Sequence, residues 1–515
     1  MEGASEASAY GAQALLSDLS KSYDISEKMK ILLFNPYYSF TGETYVFYRA
    51  SVPHGLLSIA AFLQQHNIKT KIYELGIFDE KDVIREGDKV RCGVCDNKIR
   101  NILYEERPDL IGISDMYTVF HSDYAELIKT IKDYNPKIRI VAGGNHASSF
   151  PEKMLEAGAD QVVVGEGEEA MLSIFLGNKN EIVTRDFIPN LDNLPLPNYR
   201  MIDFPKYFEV NNPFSMRKPV AGIHTSRGCP LNCCYCSANG VWKGKWRPKS
   251  PKIVALEIYS LKREYGIQEI HFLDDNMAVD KERLKEICRE LIKFELNIKW
   301  ATPNGIPYWM LDNETLDLMK KAGCYRLTFG IESGDPETRK YIGKDFPLQK
   351  AVNVIRYANK IGMWTVCTNI IGFPYETHLK IRRTIEFAKH CETDFACFFT
   401  LLPHASTRVY QDFLKEGLID PKNAMSALHE GGTPTVHFRK EEIKEFQRQA
   451  YNEFTEYKMW QYIKRPLLLL RKIRSFEDLR YLFRILRMGV DIKLRQGKKI
   501  TTSKDYIYGR KQYIK

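Results

Sequence analysis

"SRGCPLNCCYCSANG" occupies residues 226 to 240 and places four of the chain's eleven cysteines in the eight positions from Cys229 to Cys236. The informative spacing is Cys229-x3-Cys233-x2-Cys236, which lets three thiolates on one loop grip one face of a metal centre. A tetrahedral structural zinc site would want a fourth ligand close in sequence, usually from a second CxxC or HxxxH pair. The next cysteine, Cys288, instead falls on a helical pattern, and Cys92-x2-Cys95 belongs to a separate upstream segment. An iron–sulfur cube with three protein ligands keeps one iron open for a small molecule. Tyr235, the aromatic wedged before the third cysteine, adds to that reading.

Working outward, the run follows the first of six expected strands, at 220–226, 268–273, 297–304, 325–331, 364–371 and 395–401. Helical patterns at 250–265, 280–295, 313–322, 348–362 and 378–391 lie between them. Six βα-like units of this kind suggest a partial parallel barrel, which carries its chemistry on the loops after the strands. Upstream, a Pro- and Asn-rich stretch, "DFIPNLDNLPLPNYRMIDFP" (186–205), interrupts regular structure and predicts a linker over 186–218.

Before the linker the rhythm is again α/β. "KILLFNP" (30–36), "KTKIYEL" (69–75), "DLIGIS" (109–114), "IRIVAGGNHAS" (138–148) and "DQVVVGEGEEA" (160–170) read as strands. "HGLLSIAAFLQQHN" (54–67) and "YAELIKTIKDYNP" (124–136) read as helices. The pattern predicts a flavodoxin-like, doubly wound parallel sheet over 29–185, with ligands beyond the carboxyl ends of its strands. The turns at Asn35-Pro36, Ser114, Gly143-Gly144 and Gly165-Glu166-Gly167 fall there. Residues 1–28, rich in Ala, Ser and Gly, read as a disordered extension.

Composition narrows the class. A hydrophobic content of 44% and a charged content of 27% describe a globular protein, and no apolar run approaches the length of a membrane span. Eleven irregularly spaced cysteines do not form a secreted disulfide framework. With no secretory signal at the N-terminus, a cytoplasmic location is expected. Residues 404–515 read as a mostly helical, basic segment. From Lys464 to Lys515 sixteen Lys and Arg face four Asp and Glu. That segment alone carries +12 of a net +10, leaving about −2 elsewhere. A solvated helical face is the plain reading. Attraction of an anionic substrate, docking of an acidic electron donor and peripheral contact with an anionic membrane are the others. No nucleic-acid-binding module accompanies the charge, so nucleic acid is not expected.

These stretches together carry a resemblance. CxxxCxΦC after the first strand of a partial barrel resembles the radical S-adenosylmethionine (SAM) superfamily. "HFLDDNM" (271–277), "TPNGI" (302–306), "FGIESGD" (329–335) and "NIIGFPYET" (369–377) fall where that superfamily places its SAM-binding strand ends, so the likeness covers about 219–403. It implies that Cys229, Cys233 and Cys236 hold a 4Fe–4S cluster, with Cys234 outside the pattern. SAM would bind the open iron and be split by one electron to methionine and a 5′-deoxyadenosyl radical. Tyr235 would support the adenine side. Asp274, Glu332 and Asn369 would hold SAM's polar groups, helix capping or a surface ion pair being the plain alternative for Asp274 and Glu332. "LLPHASTRVY" (401–410) resembles the family's Pro-x-Pro-Gly-Thr turn with Ala405 and Ser406 in place of Pro and Gly.

Residues 29–185 resemble the cobalamin-binding domain fused upstream of many such enzymes, on "VPHGLLSIAAFL", "PDLIGIS", "VAGGNHAS" and "VVVGEGEEA". The likeness implies cobalamin contacts from Asn35, Ser114, Gly143, Gly144, Gly165 and Glu166. The Asp-x-His-x-x-Gly motif that ligates cobalt in methionine-synthase-like domains is absent, so no histidine ligand comes from it. His146 could lie near the corrin or be a turn histidine. The Cys92/Cys95 pair reads as a loop with incidental thiols. The resemblance implies a small-molecule substrate, a flavodoxin- or ferredoxin-type electron donor, and one of two chemistries. The first is methylation of an unactivated carbon; the other is a non-methylating radical reaction such as anaerobic ring closure.

Overall fold

The computed structural model describes residues 29–41, 51–76, 83–87, 89–210, 214–420 and 432–495. The expected extension over 1–28 and the end of the basic segment, 496–515, lie outside the described residues. Within them the chain forms two parallel sheets, a joint and a helical base.

The first sheet contains β1 (Ile31–Asn35), β3 (Thr70–Glu74), β6 (Leu110–Ser114), β7 (Arg139–Gly143), β8 (Gln161–Val164) and β9 (Ile182–Thr184), in the order β3-β1-β6-β7-β8-β9. All its pairings are parallel. Every residue of "ILLFN" in β1 is buried, as expected of a strand covered by helices on both faces. The chain order reverses between β1 and β6, and a crevice opens beyond the strand ends at such a switch point. Beside this sheet β2 (Tyr38–Thr41), β4 (Val83–Glu86) and β5 (Lys89–Cys92) form a small antiparallel sheet in the order β2-β5-β4. The sequence reading does not contain it, because its strands are four residues each and lack an apolar run.

The second sheet contains β10 (Val220–Ile223), β13 (Glu269–Phe272), β14 (Lys299–Thr302), β15 (Cys324–Glu332), β16 (Trp364–Ile371) and β17 (Phe395–Thr400), paired in chain order and all parallel. The ordered, one-way pairing is the expected partial barrel. A two-residue ribbon, β11 (Ser226–Arg227) with β12 (Arg247–Pro248), rises from the end of β10. The intervening helices start and stop on local signals. In Pro251–Tyr265 the Ser250 hydroxyl accepts from Ile253 N, proline opens the first turn, and Gly266 closes the helix in the left-handed conformation. Asp280, Asp312 and Asp335 cap the three helices that follow in the same manner.

The expected linker is built more firmly than its composition suggests. It holds two short 3-10 turns, Leu191–Asn193 and Tyr199–Met201, and a helix, Phe204–Val210. Tyr199, Phe204 and Tyr207 are buried in the core that joins the two sheets. Asn190 and Asn198 cap the starts of the turns, so these residues open one short element after another rather than leaving the chain loose.

The helix Lys440–Lys464 lies along the outer edge strand β17, where Tyr451 Oη accepts from Phe398 N and Gln447 donates to Phe398 O. The helix Phe476–Arg495 closes the end of the barrel where the strands begin. Tyr481 packs there against Tyr325 and Trp364. Arg326 donates to the Tyr481 hydroxyl at 3.1 Å, and Tyr325 Oη donates to Glu269 at 2.7 Å. The described part of the basic segment therefore lies at the opposite end from the strand ends that carry the cysteines. Attraction of an anionic substrate to the mouth finds no support in its placement.

Candidate active site

Each cysteine is held by an identifiable piece of backbone. Gly228 precedes Cys229 with φ of +90°, and any Cβ there would collide with Lys245 O, so the turn requires glycine. The "LDDN" end of β13 fastens the same turn. Asp274 accepts from Thr225 N and from the Thr225 and Ser226 hydroxyls at 2.5 to 3.0 Å. Asp275 accepts from Gly228 N at 3.2 Å, and Asn276 Nδ2 reaches Cys229 Sγ at 3.7 Å. Beyond it, Cys234 N donates to Ile342 O and Val409 N donates to Cys234 O. The "LPHAST" turn abuts the far side, where Ser406 packs against Gly240.

Cys229 and Cys236 lie close enough to Cys233 to add to the rise that burial imposes on its thiol pKa, and Cys234, in the same apolar cluster, packs with Ile342, Phe373, Val409 and Phe413. Burial pushes the Cys233 thiol up to about 12 and the Cys234 thiol up to about 11. A buried thiol of this kind ionises when a metal takes the charge. Among the described residues no group of three His, Cys, Asp or Glu is arranged to hold a single metal ion. Three thiols on one loop suit a cluster in which each sulfur binds its own iron.

Above this loop the barrel mouth carries a charged pair. Glu332, at the end of β15, has φ of +64°, and the β15–β16 register shifts there. A non-glycine residue held in that region is strained. The Lys344 ammonium lies 2.8 Å from the Glu332 carboxylate; Glu332 is buried and Lys344 mostly so. Burial works against the charge on Lys344, but Glu332 and Cys233 beside it hold its pKa above the usual lysine value. Tyr235 lies within reach of Glu332 and meets Phe373 edge-on at 6.1 Å. On the next strand Asn369 is fully buried. Its amide donates to Cys397 O, while its Oδ1 has no partner in the protein. An orphaned buried acceptor calls for a partner from outside the protein, a water or a polar ligand. Tyr235, Glu332 and Asn369 thus line one end of the barrel, whereas the Asp274 carboxylate is occupied by the Thr225–Ser226 turn and acts on the cysteine loop.

The crest of the first sheet faces the same region. Ser114 and Gly143 are paired neighbours on β6 and β7, Gly165 follows β8, and Asn35 ends β1. A Cβ added at Gly165 would meet only Phe187, at 4.0 Å, and one at Gly143 only Val163, at 3.7 Å. Gly143 and Gly165 therefore leave this crest low, as a floor beside the Ser114 and Asn35 side chains. Gly144 is different: with φ of +113°, its Cβ would strike Asp115 O at 2.6 Å, so its role is close packing of backbone. Met116 and Tyr117 expose large apolar side chains beside the floor. His146 is buried, with one ring nitrogen shared with His121 at 2.9 Å and the other 3.3 Å from the Thr118 hydroxyl. Neither nitrogen is free to reach over the floor.

Glu166 has a different duty from the cofactor contact expected of it. Its carboxylate meets Arg227 at 2.5 Å and Arg247 at 2.7 Å, and it accepts from Ile188 N. Glu168 meets the second Arg227 nitrogen at 2.6 Å, and Ser58 completes the group. Burial opposes the charge on Glu168, but the Arg227 guanidinium holds its pKa below the usual carboxylate value. Arg227 stands two residues before Cys229, so one buried network fixes the crest of the first sheet to the cysteine loop of the second. Sequence reading missed Arg227, Arg247 and Lys344. The alternating acids of "GEGEE" and the Arg in "SRGC" are the signal, but pairing them needs the two sheets docked.

The family described as "Radical SAM superfamily" matches residues 223–388, and the one described as "B12 binding domain" matches residues 46–175. A cytidylyl-2-hydroxyethylphosphonate methyltransferase of Streptomyces wedmorensis is 28% identical over 77% of this chain and 84% of its own. An uncharacterized methyltransferase of Pyrococcus horikoshii is 30% identical over 69% of this chain and 80% of its own. The radical S-adenosylmethionine methyltransferase TsrM of Kitasatospora setae, solved with cobalamin and a [4Fe-4S] cluster bound, shares the fold. Its TM-score is 0.62 at 17% identity, over 75% of this chain and 78% of that one.

Proposed function

This chain belongs to the radical SAM enzymes that carry a B12-binding domain, and from that premise we propose that it methylates an unactivated carbon of a small molecule or natural-product precursor. Its cofactors are a 4Fe–4S cluster, SAM and cobalamin. When bound, these supply one-electron cleavage of SAM to a carbon radical and a cobalt-carried methyl group. The protein's part is to bind, orient and exclude water.

Cys229, Cys233 and Cys236 would hold the cluster. The Glu332 carboxylate and the Lys344 ammonium would offer one charge of each sign to a zwitterionic amino acid, and Asn369 Oδ1 would accept from it. Tyr235 and Phe373 supply an aromatic wall for a purine. The floor formed by Ser114, Gly143 and Gly165 would take the corrin. The observation that carries the reading is the Arg227 network, because it sets that floor at a fixed place relative to the cysteine loop. Methyl transfer between two reacting centres depends on such positioning. A flavodoxin- or ferredoxin-type protein would deliver the electron.

The test is anaerobic turnover with SAM labelled in its methyl group, using the reconstituted holoenzyme and fractionated extract. Methylation yields 5′-deoxyadenosine, S-adenosylhomocysteine and a product heavier by the labelled methyl. Formation of 5′-deoxyadenosine without S-adenosylhomocysteine or label transfer would overturn methylation and leave the non-methylating chemistry, such as ring closure.

A further inference from the structure

The base of the barrel exposes a surface that neither the site nor the core uses. In the helix Phe476–Arg495, Tyr481 and Ile485 face inward and are buried. Phe476, Leu479, Phe483 and Leu486 recur at spacings of three and four on another face, with Phe476 66% and Phe483 70% exposed. The preceding turn adds Leu467 and Leu470, also exposed. A helix that is apolar on two faces has one face too many for a fully solvated surface element. Cations border the outer stripe: Arg471, Arg474, Arg480 and Arg487 are exposed, and Arg480 lies over the Phe476 ring at 4.5 Å. The two acids in the first turn of the helix already have partners. Glu477 pairs with Arg217, and Asp478 accepts from Arg474 N and from Ser475 Oγ.

We propose that this face is a docking surface for an anionic phospholipid bilayer. Exposed Phe and Leu flanked by Arg is the composition of a helix lying in the headgroup boundary. Charge favours this occupant over a second copy and over the chain's own C-terminal residues. A second copy of the chain would bring the same cations to the interface. The chain's own residues 496–515 carry six Lys and Arg against Asp505, so they would add positive charge rather than neutralise it. No helix of the described residues is long and apolar enough to cross a membrane, so the contact is peripheral. The strands begin at this end and the cysteine loop stands at the other. Docking therefore tethers the enzyme with its mouth turned away from the bilayer.

The experiment is sedimentation of the full chain with vesicles of phosphatidylglycerol mixed with phosphatidylcholine, against phosphatidylcholine alone, at low salt. Lipid-free protein is sized by light scattering in parallel. The expected result is binding to the anionic vesicles, weaker by roughly tenfold or more on the neutral ones and reduced by added salt. Arg480→Gln with Arg487→Gln loses roughly tenfold or more. Phe483→Ser with Leu486→Ser loses binding too, and both variants keep the circular dichroism of the parent. Failure to sediment with anionic vesicles overturns the proposal, as does equal binding by both variants. A lipid-free dimer that both variants dissociate also overturns it, by showing that a second copy covers the face.

Discussion

Single side chains at this site are set by what surrounds them, and His146 shows it in a measurable way. Burial, and then His121 beside it, lower its pKa from 6.5 to about 3. The folded state therefore holds His146 neutral, while the unfolded chain takes up a proton near its ordinary value. The stability that neutral His146 contributes is complete above about pH 6.5 and is lost as pH falls toward 3, by up to about 1.4 kcal/mol per pH unit. The expected outcome is that His146→Gln melts with a shallower pH dependence between pH 6.5 and 4 than the parent, in thermal denaturation at matched salt. Residue types were the most legible part of the sequence. The three-cysteine spacing named its own loop, and Glu332 and Asn369 do reach the barrel mouth. Asp274 and Glu166 were singled out too, but their partners, Thr225 with Ser226 and Arg227 with Arg247, are distant in sequence or across a domain joint, so their duty could not be read from spacing.

At the scale of elements, the decisive feature is the contact between the "GEGEE" turn after β8 and the ribbon of β11 and β12. Arg227 and Arg247 enter it with Glu166 and Glu168, whose side chains are almost fully buried. Removing one partner of a buried pair leaves the other charge without compensation, at a cost of about 3 kcal/mol or more. Arg227→Ala is therefore expected to lower the unfolding free energy by about that amount. It should also depress methyl transfer more than SAM cleavage, because the cysteines keep their own anchors at Asp274, Asp275 and Asn276. The ratio of S-adenosylhomocysteine to 5′-deoxyadenosine in anaerobic turnover checks this. Equal loss of both products would mean that the network only supports the loop. Parallel strands and their helices were legible because they are long, apolar runs with caps. The sheet of β2, β5 and β4 was not, because short strands with mixed residues carry little periodic signal.

For the whole molecule, two parallel sheets face a shared site and a helical base plugs the far end of the barrel. Tyr481 is the centre of that plug, between Tyr325 and Trp364 and bonded to Arg326. Tyr481→Ala removes a fully buried ring and should cost about 3–5 kcal/mol, the range for large aromatic truncations. Denaturant titration would show it as a lower midpoint. The basic segment illustrates where sequence reading stops. Its charge was evident, but only the fold shows that its described part lies at the barrel's base, away from the mouth.

Three sulfurs of one loop are expected to hold an iron–sulfur cluster, while a fourth, one residue away, is not. Iron and acid-labile sulfide should be measured in anaerobically reconstituted protein, for the parent and for Cys229→Ala, Cys233→Ala, Cys234→Ala and Cys236→Ala. The expected result is about four irons per chain in the parent and in Cys234→Ala, with loss of the cluster in the other three. A parent that takes up zinc instead of iron, or a Cys233→Ala protein that keeps a full complement of iron, would contradict it.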